Sequence, residues 1–187
     1  FFWPASVRSY RSGPRSLPRA TPTFHVSPRG RGFAGERLEV VFDRGVYLPE
    51  LDLWLDSRRR RELGLISHAH SDHIARHSRP VLTHNTGLLL SEYLKSSDPI
   101  RLNYHEPLQK DRYTVTLYPA GHCLGSAQVL VESKVSGVRV LYTGDLKVRP
   151  SPTNEPLEPV ACDVLVMEAT YGRPQYTFPS QEQVLTT

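Results

Sequence analysis

The stretch Leu63-Gly64-Leu65-Ile66-Ser67-His68-Ala69-His70-Ser71-Asp72-His73 decides the reading of this chain. Its first five residues are a short apolar run, the pattern of a buried strand. The next six carry three imidazoles and one carboxylate. Such a cluster costs stability unless something binds it, and a metal ion is the natural ligand. Imidazole suits zinc, and a carboxylate among histidines suits a hydrolytic centre that keeps one position open for water. The candidate ligands fall at the C-terminal end of a strand and in the loop after it, where layered α/β folds place their chemistry. A lone pair of histidines on a loop would most often be coincidence. The alternation of His68 and His70, followed by the Asp72-His73 step that can turn toward a second metal, is not.

Outward from this stretch, strand patterns recur. Leu38–Phe42 is strand-like. Residues 45–48 and 51–56 read as a hairpin turning at Pro49-Glu50. Residues 80–83, 113–118, 127–132, 138–143 and 163–168 alternate or run apolar as further strands. Thr86–Lys95 reads as a helix capped by Asn85, with Leu88, Leu89 and Tyr93 on one face. Many strands with few short helices predict an α/β architecture of two packed sheets with helices outside.

Two more ligands follow the same logic of apolar strand, glycine, ligand. His122 comes after Gly121 at the end of 113–118, and Asp145 after Gly144 at the end of 138–143. A glycine at such a point lets the backbone turn tightly and aim the next side chain into a cleft. Asp56 ends residues 51–55 in the same way. It reads as a carboxylate that orients a ligand or the water, or else as a turn residue.

The formal charge of +4 misleads if taken whole. Residues 1–35 hold six arginines and no acid, which leaves the rest of the chain at −2. Bulk charge therefore gives no vote for nucleic acid. That basic stretch, punctuated by Pro4, Pro14, Pro18, Pro22 and Pro28, is expected to be a disordered extension ahead of one folded unit over 36–187. An organelle transit peptide is the alternative, which the proline density weakens. Two cysteines, Cys123 and Cys162, make no disulfide framework and point to a reducing, cytoplasmic setting. No apolar run approaches the roughly 20 residues that span a bilayer, so no membrane partner is expected. The chain opens on Phe1 rather than Met, as a fragment or processed form would.

The His68–His73 cluster, Ala120-Gly121-His122-Cys123-Leu124-Gly125-Ser126-Ala127, Tyr142-Thr143-Gly144-Asp145 and Met167-Glu168-Ala169-Thr170-Tyr171-Gly172 together resemble the metallo-β-lactamase fold and, within it, the β-CASP nucleases. The nearest subgroups are the ligase-associated exonucleases and the relatives of the messenger-RNA 3′-end-processing nuclease. The resemblance covers about residue 37 to 187. It implies an αββα sandwich, present here as its first half without the β-CASP insertion. It implies two zinc ions: His68, His70 and His122 at the first, Asp72 and His73 at the second, and Asp145 bridging. Asp72, Asp56 and Glu168 would be the acidic residues of the reaction, with Glu168 supporting the site. The activity implied is hydrolysis of a phosphodiester in single-stranded RNA or DNA, by water made nucleophilic between the metals. A thioester or other small-ester hydrolase of the same fold is the alternative.

The family also has later histidines, one completing the second zinc and one protonating the leaving oxygen. Residues 169–187 contain no histidine, so the second site is expected to be incomplete and the chain inactive alone. His25, His77, His84 and His105 are not convincing substitutes, and His77 and His84 are expected at the surface. The run Ser57-Arg58-Arg59-Arg60-Arg61 either meets phosphates or is a solvated turn. Cys123 is expected to be a small buried side chain, and Tyr47 and Trp54 to pack in the core rather than stack on bases. Imidazole and carboxylate would also accept manganese or iron. A homodimer is left open.

Overall fold

A computed structural model describes residues 23–26, 38–180 and 183–184. Its strands are β1 (Thr23–Val26), β2 (Leu38–Phe42), β3 (Val46–Leu48), β4 (Leu53–Leu55), β5 (Leu63–Leu65), β6 (Arg79–Thr83), β7 (Ile100–Leu102), β8 (Leu108–Gln109), β9 (Tyr113–Pro119), β10 (Ala127–Ser133), β11 (Arg139–Tyr142) and β12 (Val164–Val166). They form two sheets. One runs in chain order from β1 to β7, and the other has the order β12-β11-β10-β9-β8.

The first sheet changes character midway. β1 through β4 pair antiparallel, and β4 through β7 pair parallel. The expected hairpin is β3 and β4, joined by the 3-10 turn Pro49–Leu51. Parallel pairing sends β4 and β5 out at the same edge, so Asp56 and the His68–His73 loop emerge side by side. In the second sheet the long β9–β10 hairpin pairs over seven residue positions, while β11 and β12 run parallel. Alternate residues of both sheets face each other in one core. Leu38, Leu48, Leu53 and Leu55 from the first meet Val115, Leu117, Val129 and Val140 from the second, all essentially solvent-free. The two-layer α/β sandwich expected from the strand pattern is present.

Four expectations are corrected. The helix is only α1, His84–Leu89, and its cap is Thr83, whose Oγ1 accepts from the Thr86 N–H; Asn85 lies inside it. Leu88 and Leu89 are exposed, and Leu90 and Leu94 beyond the helix fill a small second core with Ile66 and Leu82 instead. Tyr47 and Trp54 lie on the outer face of the first sheet, half-buried and stacked on each other at 4.2 Å between ring centres. Within the basic stretch 1–35, Thr23–Val26 is a strand in register with Leu38–Val41, because β2 offers it an open edge; residues 1–22 and 27–35 lie outside the described residues. Among the described residues no helix is long and apolar enough to cross a membrane.

Candidate metal centre

The loop after β5 begins at Ser67, and this residue sets the tautomer of the first ligand. The Ser67 hydroxyl donates to Asp56 Oδ2 at 2.6 Å, and its oxygen lies 2.9 Å from His68 Nδ1. With its own proton committed to Asp56, Ser67 can only accept from His68. His68 therefore carries its proton on Nδ1 and turns a bare Nε2 outward. Burial, aided by the neighbouring imidazoles, holds His68 neutral, with its pKa lowered to about 3.

Nε2 of His68 lies 3.1 Å from His70 Nδ1, which lies 3.2 Å from His122 Nε2. Asp145 Oδ2 completes the group at 3.8 Å from His68 Nε2 and 3.6 Å from His122 Nε2. Tetrahedral zinc with bonds near 2.0–2.1 Å separates its ligand atoms by about 3.3 Å. The four atoms fit that requirement. Three ring nitrogens facing one point cannot all be satisfied by shared protons, so the donor set is that of a cation site. His122 is brought there from the second sheet by Gly121, and Asp145 by Gly144, both at positive φ as the turn argument requires. A side chain at Gly144 would also strike Ser67.

The other oxygen of Asp145 faces a second group. Oδ1 lies 3.3 Å from His73 Nε2, and Asp72 Oδ2 lies 3.6 Å from the same nitrogen. One carboxylate thus presents one oxygen to each group. His73 is aimed by Asp56, whose Oδ2 takes its Nδ1 at 2.8 Å. Burial lowers the His73 pKa, but the hydrogen bond and charge of Asp56 outweigh it and the net shift is upward. Asp145 is pushed up, chiefly by burial.

Asp56 also offers a carboxylate oxygen within 4.8 Å of ring nitrogens of His68 and His73, a further possible donor set. It is buried and accepts from the Ser67 N–H at 2.7 Å, the Ser67 hydroxyl, the Tyr142 hydroxyl at 2.9 Å and His73. These bonds tie the end of β4 to the Ser67 turn, the His73 ring and Tyr142. Glu168 accepts from the Leu146 N–H at 3.0 Å and from the Thr170 hydroxyl at 2.6 Å. It therefore pins the turn immediately after Asp145. Burial raises its pKa, but these hydrogen bonds prevail and keep it below the usual carboxylate range.

The sequence reading assigned no role to Ser67 or Tyr142, although both sit in the motifs quoted. It also missed the brace of the His122 loop. Asn154 Nδ2 donates to the Gly121 carbonyl at 2.7 Å, and Glu155 accepts from the Gly125 N–H at 3.1 Å and from Asn85 at 3.0 Å. His77 is a further correction. It is fully buried, packed on Gly64, with Nδ1 accepting from the Arg61 N–H at 3.1 Å and Nε2 unpartnered. Burial lowers its pKa to about 4. It lies away from both donor groups, as expected of it; His84 is at the surface, and His105 pairs with Glu158 at 2.8 Å. The side chain of His25 lies outside the described residues. Cys123 is only half-buried and forms no disulfide.

The second group opens into a cleft of about 390 Å³, lined among others by Asp56, Asp72, His73, Tyr142 and Glu168; of the first group, Asp145 lines it.

No protein-family model matches the chain. Over 152 residues it is 41% identical to a protein described as a probable DNA ligase from Opitutus terrae, covering 79% of this chain and 15% of that one. It is 31% identical over 178 residues to cleavage and polyadenylation specificity factor subunit 3 of Dictyostelium discoideum, covering 72% and 23% respectively. The DNA cross-link repair 1A protein of Mus musculus is 34% identical over 127 residues, covering 64% and 12%. The chain thus spans less than a quarter of the length of each of these relatives.

Proposed function

The chain belongs to the β-CASP branch of the metallo-β-lactamase-fold family, and from that premise we propose that it contributes the N-terminal part of a two-zinc centre that hydrolyses phosphodiester bonds in single-stranded RNA or DNA. Residues 36–187 are the portion of the domain that serves this purpose. The observation that carries the reading is the Asp145 carboxylate, one oxygen toward His68 and His122 and the other toward His73.

His68, His70 and His122 would hold the first ion, Asp72 and His73 the second, and Asp145 both. Zinc so held supplies Lewis acidity, which makes water nucleophilic near neutral pH and offsets charge that develops on phosphate oxygens. The protein's own part is positional. Ser67 fixes the His68 tautomer, Asp56 fixes the His73 ring, and Glu168 fixes the turn that aims Asp145. Such outer partners commonly matter by 10–100-fold in metal affinity.

Zinc titration of the chain against a chelating dye tests the first part. One tight equivalent and a second weaker one are expected, since the second position has three donors and residues 169–187 hold no histidine to add another. For the same reason the chain alone is expected to show residual cleavage at most, so it is followed under single turnover at saturating zinc. The substrates are 5′-labelled single-stranded RNA and DNA, with Asp72→Ala as control. Products that vanish in the control support the proposal. Intact strands beside turnover of a thioester or lactone would overturn it in favour of a small-ester hydrolase.

A further inference from the structure

The four consecutive arginines after Ser57 have different environments. Arg59 pairs with Asp43 at 3.2 Å. Arg60 donates to the Ser78 hydroxyl at 3.4 Å. Arg61 donates to Ser57 Oγ at 3.2 Å and lays its guanidinium 3.4 Å from the centre of the Trp54 ring. Arg58 is the exception. Its backbone N–H is tied to the Arg44 carbonyl at 2.7 Å, while its exposed side chain has no partner among the described residues.

Arg58 is also the member of the run that lines the cleft of the metal centre, and no other arginine or lysine does. The remaining charged groups there are four carboxylates, Asp56, Asp72, Asp145 and Glu168. Two divalent ions would do no more than neutralise these four, so Arg58 is the fixed charge left over to draw an anion in. Phe42 lines the same cleft with 56% of its surface exposed, although it is a large aromatic on a core strand. The tight turn after β2 connects the two: Phe42 pairs with Val46, and Arg44 between them holds Arg58.

We propose that Arg58 and Phe42 form a subsite for one nucleotide of a single strand, Arg58 taking a phosphate and Phe42 the face of a base. This rests on the nucleic-acid reading above and deepens it. A guanidinium fork matches two phosphate oxygens. An exposed aromatic ring accepts any base, provided the base is not already stacked within a duplex. A neutral thioester would need neither group.

The test is equilibrium binding of fluorescent dT12 and rU12 to the zinc-loaded chain, from about 50 to about 200 mM salt. Arg58→Ala is expected to lower the slope of log affinity against log salt by about 0.7, the share of one single-strand phosphate. Arg58→Lys restores the slope, because the charge is back, but not the whole affinity, because the fork is not. Phe42→Ala weakens binding by about 5–100-fold with the slope unchanged. Arg60→Ala, outside the cleft, changes neither, and a thermal melt of each variant checks folding. If Arg58→Ala matches Arg60→Ala while the parent chain binds both strands, the subsite is wrong and the nucleic-acid reading stands. If the parent chain binds neither strand at any salt, the nucleic-acid reading falls and takes the subsite with it.

Discussion

The two donor groups that share Asp145 are built to different standards. The first draws its atoms from three loops, after β5, β9 and β11, and its anchor His68 is wholly buried. The second takes both of its own donors from consecutive residues of one loop, and the Asp72 side chain is 68% exposed. A group assembled from three separate strand ends is held by the whole sandwich, and moving one ligand means moving a sheet edge. A group on one loop is held by local hydrogen bonds, here chiefly the bond from His73 to Asp56. The first group is therefore held by both sheets, and the second by one loop and Asp56.

The sharpest way to break this contrast is Asp145→Ala, which removes the one side chain common to both halves. Zinc affinity is expected to fall at both positions by more than the 10–100-fold that outer partners cost. Equilibrium dialysis reads this directly. Loss at one position alone would mean that the carboxylate does not bridge.

Acid comes next. His68 and His77 are both buried and held neutral, with pKa values lowered to about 3 and about 4. In the unfolded chain each returns to the ordinary value of about 6.5. Between the folded and unfolded values the unfolded state binds more protons, so the stability these histidines contribute is present above about pH 6.5 and is lost as pH falls. For the metal-free chain the loss is expected to be about 2 kcal/mol per histidine between about pH 7 and about pH 5. Urea denaturation at the two pH values measures it. His77→Gln should remove one share of the acid sensitivity, and zinc should suppress the share of His68. A stability that is flat across this range would contradict both assignments.

Much of this was legible because it is local. A short apolar run followed by a candidate ligand marked β5, β9 and β11, and the side chains of His68, His70, His122 and Asp145 converge. What escaped depends on partners distant in sequence. His77 sits between Arg76 and Ser78 and looked solvated, and only its seat on Gly64 of the neighbouring strand buries it. Leu88 and Leu89 looked like a core face, but α1 ends after six residues and the chain turns before their face can pack. β7 and β8 are three and two residues long and have no period to read. Nothing in residues 1–35 marks Thr23–Val26 as a strand except an open edge on β2.

Asp56→Asn sharpens the contrast from the side of the second half. The amide keeps one acceptor for the Ser67 N–H but cannot hold the charge that faces His73, so the imidazole loses its aim. Zinc affinity is expected to drop by about 10–100-fold at both positions, because Oδ2 serves His73 directly and His68 through the Ser67 hydroxyl. Stepwise zinc titration distinguishes the two. A loss at the second position alone would mean that the Ser67 hydroxyl does not carry the effect to His68.

The smallest expected effect lies on the other side. One member of the first group, His122, has its loop braced from outside both sheets by Asn154 and Glu155. Glu155→Gln leaves an oxygen for one of the two donors it now serves, the Gly125 N–H and Asn85, and removes the charge. Losing one hydrogen bond of that kind is worth about 0.5–1.5 kcal/mol, which is about 2–10-fold in an equilibrium. The expected result is a drop of that size in affinity for the first ion alone. Cobalt substitution would show a distorted ligand field at that position, which a general loss of stability would not produce. If the second position weakens equally, the two halves are coupled through more than Asp145, and the division between a sheet-held and a loop-held group is too sharp.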